Sequence, residues 1–270
     1  MASSGKDSVV LVTGASSGIG RATAGRLASA GYRVFGTSRN GTGPDGAGYE
    51  MVQLELASDE SVKQCVATVL ERAGRIDVLF NNAGFGVAGA IEETTVEQAQ
   101  AQFDVFLFGI HRMLREVLPV MRAQGSGRVI NMGSSASVFA VPYGGLYSAG
   151  KYAMAGYSEA LRRELLPLGI WVTYVEATMI STEAADDIMV AAERIDDYTP
   201  LRDEALDLFR KAIRGGKDPA IVARAVHRLV EMQRPPLVYR VDTPARLLPM
   251  LKAIAPSGLV DRVLGRRRRH

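Results

Sequence analysis

Tyr147 and Lys151 stand four residues apart in GGLYSAGKYAMAGYSEALRREL, a spacing that stacks both side chains on one face of a helix. One reading is a surface aromatic–lysine pair of the kind many helices carry. The other is chemical. A free phenol ionises near pH ~10. A neighbouring ammonium favours the phenolate and brings Tyr147 toward the range where it exchanges protons efficiently.

A second group with chemical promise is glycine. VVLVTGASSGIGRATA sets Gly14, Gly18 and Gly20 where an apolar run turns into a helical pattern. Residues without Cβ let backbone N–H groups approach phosphate oxygens there, and the helix N-terminus adds positive potential. The spacing Gly-x-x-x-Gly-x-Gly differs from the commonest dinucleotide fingerprint, and glycines also serve purely structural strand–helix turns.

These residues need a scaffold, and short apolar runs alternate with helical patterns to supply one. VVLVTG, YRVFGTS, MVQLEL, IDVLFNNAG, GRVINMGS and IWVTYVEAT read as strands. Helices fall between them, including GIGRATAGRLASAG closed by Gly31 and SDESVKQCVATVLERAG. A long helix is expected from a capping box at Thr94 to Glu97, running to about Ala123, and another from Tyr147 to Leu168. Strands separated by helices imply parallel pairing: an α/β, doubly wound, Rossmann-like parallel sheet with helices on both faces, in one domain over 1–270. From Met179 to Lys217 the chain is charged and weakly helical, which suggests a lid. A Pro-capped helix DPAIVARAVHRLVEM, a strand LVYRV and a short helical extension over about 243–265 complete the pattern.

Composition narrows the classes. The 270 residues are 47% hydrophobic and 23% charged, enough for one sizeable core. The single cysteine, Cys65, excludes an internal disulfide and reads as a buried small hydrophobe. MASSGKDS lacks a hydrophobic signal core, and no apolar run reaches the ~18 residues a membrane span requires. A cytoplasmic location follows as the expectation. Net charge is +3, partly from Arg266 to Arg269, which read as a solvated end, so nucleic acid is not an expected partner. His111, His227 and His270 lie far apart, and no metal is expected.

TGASSGIG, then NNAG at Asn81 to Gly84, then Ser134, then YSAGK with Tyr147 and Lys151, occur in order. Together they resemble the short-chain dehydrogenase/reductase family over most of Ser8 to Thr182. The resemblance implies a nicotinamide cofactor held by Gly14, Ser16, Ser17, Gly18, Ile19, Gly20, Glu55, Leu56, Asn82, Ala83, Gly84, Tyr147, Lys151 and Thr182. It implies Tyr147 as proton donor to a carbonyl oxygen, Lys151 as the group that lowers its pKa and binds ribose, and Ser134 as hydrogen-bond donor to the same oxygen. Enzymes selecting NAD usually carry an acid near the end of the second strand. No Asp or Glu lies between Leu27 and Pro44, and Arg39 stands where a guanidinium could pair with a 2′-phosphate, so NADPH is expected over NADH. Family members often pair through two long helices, which leaves homodimer and homotetramer open.

Besides Glu55, which stands where the family usually has Asp, two departures from the family pattern stand out. Phe106 falls where an asparagine is expected to hold a water that relays protons to Lys151. It also belongs to an apolar stripe with Phe103, Leu107, Ile110 and Leu114 that could simply be core. Ala177-Thr178 replaces the usual Pro-Gly after the sixth strand, where the lid begins. Around the site Phe85, Val87, Val138, Phe139, Val141, Pro142, Tyr143, Leu146, Met179 and Ile180 are mostly apolar. They favour a small hydrophobic carbonyl or alcohol substrate, with Phe85, Phe139, Tyr143 and Met179 as pocket residues. The leading expectation is NADPH-dependent reduction of a bulky apolar ketone or aldehyde, or the reverse oxidation. The alternatives are non-net-redox chemistry, such as an isomerase or lyase, and a cofactor-binding protein with little turnover.

Overall fold

The computed structural model describes residues 7–186 and 188–264; Arg266 to Arg269 lie outside them. The first strand, β1 (Val9–Val12), is completely apolar and buried, as a strand covered on both faces must be. It feeds α1 (Gly18–Ser29), after which Gly31, at φ +94°, turns the chain into β2 (Arg33–Ser38). β3 (Glu50–Gln53), α2 (Asp59–Ala73) and β4 (Val78–Asn81) follow, α2 starting at a Ser58 side-chain cap and ending at left-handed Gly74. A two-residue strand, β5 (Val87–Ala88), precedes α3 (Val96–Phe103).

The long helix differs from expectation in two ways. Its capping box is Thr95 with Gln98, because the Thr94 hydroxyl instead donates to the Ala90 carbonyl at 3.3 Å. The helix is also broken by a π turn over Asp104–Gly109 before it resumes as α4 (Ile110–Gln124). One extra residue in a turn redirects a side chain, and here Phe106 rides on that turn.

β6 (Gly127–Met132) leads to α5 (Gly145–Leu165), two residues earlier at its start than expected and three shorter at its end, where a 3₁₀ turn through Pro167 takes over. β7 (Ile170–Glu176) is followed by the 179–217 segment, which is more ordered than its charge suggested. It holds β8 (Met189–Val190), paired to β5, and the full helix α6 (Leu201–Arg214). α7 (Ala220–Glu231), β9 (Val238–Arg240), α8 (Thr243–Ile254) and α9 (Ser257–Leu264) finish the chain.

The main sheet has the order β3-β2-β1-β4-β6-β7-β9, all parallel. The order reverses between β1 and β4, so the carboxyl ends of β1, β2, β4, β6 and β7 open on one crevice, the place where such sheets bind ligands. One apolar cluster lies between the sheet and α2, α4 and α5. The other lies between the sheet and α1 and α7. Cys65 belongs to the first cluster, and burial pushes its thiol up to about 12.

Candidate active site

Every group singled out for chemistry sits at the carboxyl end of a strand or just beyond it. After β1, Gly14 and Gly18 adopt φ +68° and +52°, and a Cβ on Gly20 would fall 1.9 Å from the Gly14 carbonyl oxygen. Only glycine permits that approach. Ser16 and Ser17 are exposed, Ile19 is half-buried, and no side chain caps the start of α1. Its first N–H groups are therefore open to an anion, and the cradle fits a phosphate-bearing group.

The NNAG turn after β4 pins this cradle. The Asn82 side-chain amide donates to the carbonyls of Thr13 and Gly14 at 3.0 and 3.2 Å. The Asn82 and Ala83 N–H groups both donate to the Thr13 hydroxyl, at 2.9 and 3.0 Å. Beyond β2, Ser38, Asn40 and Thr42 close a small loop on themselves, leaving Arg39 exposed and unpaired among the described residues. Glu55 folds its carboxylate onto the Ala57 N–H at 3.1 Å, and the Leu56 carbonyl accepts from Arg112 at 3.1 Å. Thr182 packs against Gly18, and Arg21 of α1 pairs with neighbouring Glu183 at 3.1 Å. The start of the 179–217 segment is thereby docked on the glycine turn.

Ser134 follows β6, and Tyr147 and Lys151 occupy the first two turns of α5. Burial pushes the Tyr147 phenol above its ordinary value, and a hydrogen bond from Ser134 pulls the other way. Lys151, expected to depress Tyr147, turns its ammonium toward other groups. Its Nζ lies 5.7 Å from the Tyr147 ring centroid, donates to the Met132 carbonyl at 2.9 Å, and sits 4.2 Å over the face of Phe106. Burial, unrelieved by any acid, pulls that ammonium down to about 7.

Phe106 fills the space beside Lys151. It is 2% exposed and meets the Tyr147 ring edge-on at 5.6 Å. Its ring wedges between Gly84 and Gly150, where an added Cβ would lie 2.3 and 2.9 Å from it. The apolar-stripe reading is therefore right about burial, and the π turn explains how the ring reaches the site. Neither glycine could have been read as its partner, since their proximity is tertiary.

The unfolded lysine keeps its proton to about 10.5, whereas the folded one releases it near 7. Between those values the unfolded state binds more protons, so stability rises with pH, by up to ~1.4 kcal/mol per unit. Urea unfolding at pH 7 and pH 9 is expected to show this rise in the native chain relative to Lys151→Met. Equal slopes in the two proteins would refute it.

Sequence reasoning missed the polar frame behind the site. Asn81 of β4 donates to Asn131 of β6 at 2.8 Å, which donates to Ser158 of α5 at 2.9 Å, all three buried. Tyr174 of β7 donates to the Lys151 carbonyl at 3.0 Å. Polar residues in otherwise apolar strands such as GRVINM and IWVTYVE were the available signal. Among the proposed pocket residues, Phe85, Phe139 and Tyr143 are half-buried, and Met179 is 45% exposed. Val87 and Ile180 are buried outright. Tyr143 holds φ +61°, uncommon for a bulky residue and often a mark of a functional turn. The open cleft lined by Tyr32 to Val34 and Pro44 to Glu50 lies at the opposite ends of the strands.

The Ala177-Thr178 departure also finds its reason. Thr178 donates to Asp242 from its hydroxyl at 2.7 Å and its N–H at 3.3 Å, and Asp242 caps α8 through Ala245 N–H at 2.9 Å. Thr178 supplies a hydroxyl, which neither proline nor glycine has.

An uncapped helix start behind a glycine turn, at the switch point of a parallel sheet, defines an α/β protein whose crevice suits a phosphate-bearing ligand. The short chain dehydrogenase pattern matches residues 8–192, and the chain belongs to that family, oxidoreductases acting on CH–OH and C=O groups. It is 36% identical to 3-ketodihydrosphingosine reductase of Bacteroides thetaiotaomicron, over 95% of this chain and 94% of that one. It is 33% identical to retinol dehydrogenase 8 of Bos taurus, over 92% and 86%. A solved short-chain dehydrogenase from Streptomyces avermitilis superposes with TM-score 0.80 at 34% identity, covering 95% of this chain and 93% of that one.

Proposed function

We propose that this protein reduces a bulky apolar ketone or aldehyde with NADPH, using Tyr147 as the proton donor. The observation that carries the reading is the placement of Ser134 just beyond β6 and of Tyr147 and Lys151 in the first two turns of α5, where burial raises the Tyr147 phenol. A bound nicotinamide supplies the hydride. Ser134 orients and polarises the carbonyl oxygen, Tyr147 delivers the proton to it, and Lys151 stands one turn beyond Tyr147 on α5. A raised phenol pKa suits the reductive direction, because the acid carries its proton at neutral pH. The oxidative direction needs the phenolate and should gain with rising pH.

The preference for NADPH rests on Arg39, exposed and unpaired beyond β2 with no acid nearby. Arg39→Asp is expected to invert the ratio of kcat/KM for NADPH to that for NADH, by about tenfold or more. An unchanged ratio would place the selecting group elsewhere. Phe85, Phe139, Tyr143 and Met179 support an apolar substrate, and the 179–217 segment, docked on α1, would close over it as a lid.

Phe106 favours a second reading. A ring wedged beside Lys151 leaves no room for the relay water, so reprotonation of Tyr147 takes another route or chemistry proceeds without net redox. Absorbance at the NADPH band, with a panel of aromatic, steroidal and aliphatic ketones, decides between the two. Oxidation of NADPH supports the reductase, and product without NADPH consumption supports the second.

A further inference from the structure

α8 is fastened to the rim of the site at both ends. Asp242 at its start holds Thr178 beyond β7, and Lys217 approaches the same carboxylate at 3.4 Å. Near its end, Lys252 donates to the Val138 carbonyl and the Tyr152 hydroxyl, each at 2.6 Å, and lies 5.9 Å from the Phe139 ring centroid. The helix therefore runs from the loop after β7 to the loop after β6.

Its outward face is apolar. Leu247, Met250, Leu251 and Ile254 follow the i, i+3, i+4, i+7 spacing of one helical stripe and are 48, 65, 51 and 78% exposed. Leu259 on α9 is 50% exposed. Such a stripe, continuous and unburied, marks an interaction surface.

Charge selects what covers it. Residues 243–270 hold seven Lys or Arg against one Asp, for a net +6, so the preceding 242 residues are net negative in a chain of +3. A second copy seated face to face would bring two such segments together and pay for their repulsion. An apolar stripe flanked by cations matches a surface of anionic headgroups over hydrocarbon.

We propose that α8 and α9 seat this protein on an anionic phospholipid surface, with Leu247, Met250, Leu251 and Ile254 in the headgroup–acyl boundary. The mouth of the site then faces the phase in which an apolar carbonyl compound dissolves. That purpose rests on the proposed function; the affinity for the surface does not.

The test is co-sedimentation of the full chain with vesicles of phosphatidylcholine alone or mixed with phosphatidylglycerol. The native chain is expected to sediment with the mixed vesicles and not with the neutral ones. Two variants should each weaken binding about tenfold or more. One combines Met250→Glu with Ile254→Glu; the other carries Arg→Gln at 266, 267, 268 and 269. Both should keep their thermal unfolding and their NADPH oxidation with a water-soluble ketone. Failure of the native chain to bind mixed vesicles overturns the proposal, as does binding that both variants retain. A native dimer in light scattering that Met250→Glu with Ile254→Glu dissociates, without vesicle binding, also overturns it and assigns the stripe to a second copy. Vesicle binding without any carbonyl reduction upholds the surface and sinks the proposed function instead.

Discussion

Replacing Tyr147 by Phe is expected to lower kcat for carbonyl reduction by about 10²- to 10⁴-fold, the usual contribution of a positioned general acid. The substitution removes one oxygen from a ring held between Gly86, whose added Cβ would lie 3.1 Å from it, and Phe106 at 5.6 Å. Packing should survive, so thermal unfolding and its upward shift on adding NADPH should match the native chain. Stopped-flow absorbance at the NADPH band, paired with thermal scans, separates chemistry from binding. A variant that binds NADPH and still turns over within about threefold of the native rate would remove Tyr147 from the reaction. Ser134→Ala should cost less, since it removes a donor and leaves the acid in place.

Arg202→Met is expected to destabilise the protein by ~3–5 kcal/mol, because it strands a buried carboxylate. Glu93 and Arg202 have side chains only 0 and 2% exposed and form an ion pair. Burial opposes the charge on Glu93, yet the N–H groups of Ile195 and Ala90, at 2.8 and 3.1 Å, and the Arg202 guanidinium together hold its carboxyl below the ordinary range. The pair ties α6 to the chain just after β5, so its loss loosens the 179–217 segment first. Adding Glu93→Gln to Arg202→Met removes the stranded charge and keeps an acceptor for one of the two N–H groups, which bond to different carboxylate oxygens, so it should recover part of the loss. Urea unfolding measures the global effect, and amide exchange in α6 the local one. A cost for Arg202→Met below about 1 kcal/mol would show the pair to be dispensable.

Much of the fold was legible because its signals are local. Apolar runs such as VVLV and VLFN, each followed by glycine-rich or Asn-rich turns, place strands and the phosphate cradle without reference to anything distant. Tyr147 and Lys151 were legible for the same reason: a helix of fixed pitch sets them on one face whatever surrounds it. The preference proposed at Arg39 rests on an absence, the lack of any acid between Leu27 and Pro44.

What could not be read depends on which distant residues meet. Spacing sets Lys151 on the same helix face as Tyr147, but where an ammonium on a flexible stem points is decided by its neighbours. Here the Met132 carbonyl and the Phe106 face claim it. The π turn that delivers Phe106 has no composition signature, and Gly84 and Gly150 make room for it from two other elements. Glu93 and Arg202, 109 residues apart, carry no signal in their spacing that marks them as partners, and their meeting helps make burial tolerable for both. Spacing along the chain thus determined most of the elements and the helix face that Tyr147 and Lys151 share. Packing between elements decided the charge state, the orientation and the surroundings of those groups, because desolvation and close contact are properties of the folded neighbourhood and not of the residue.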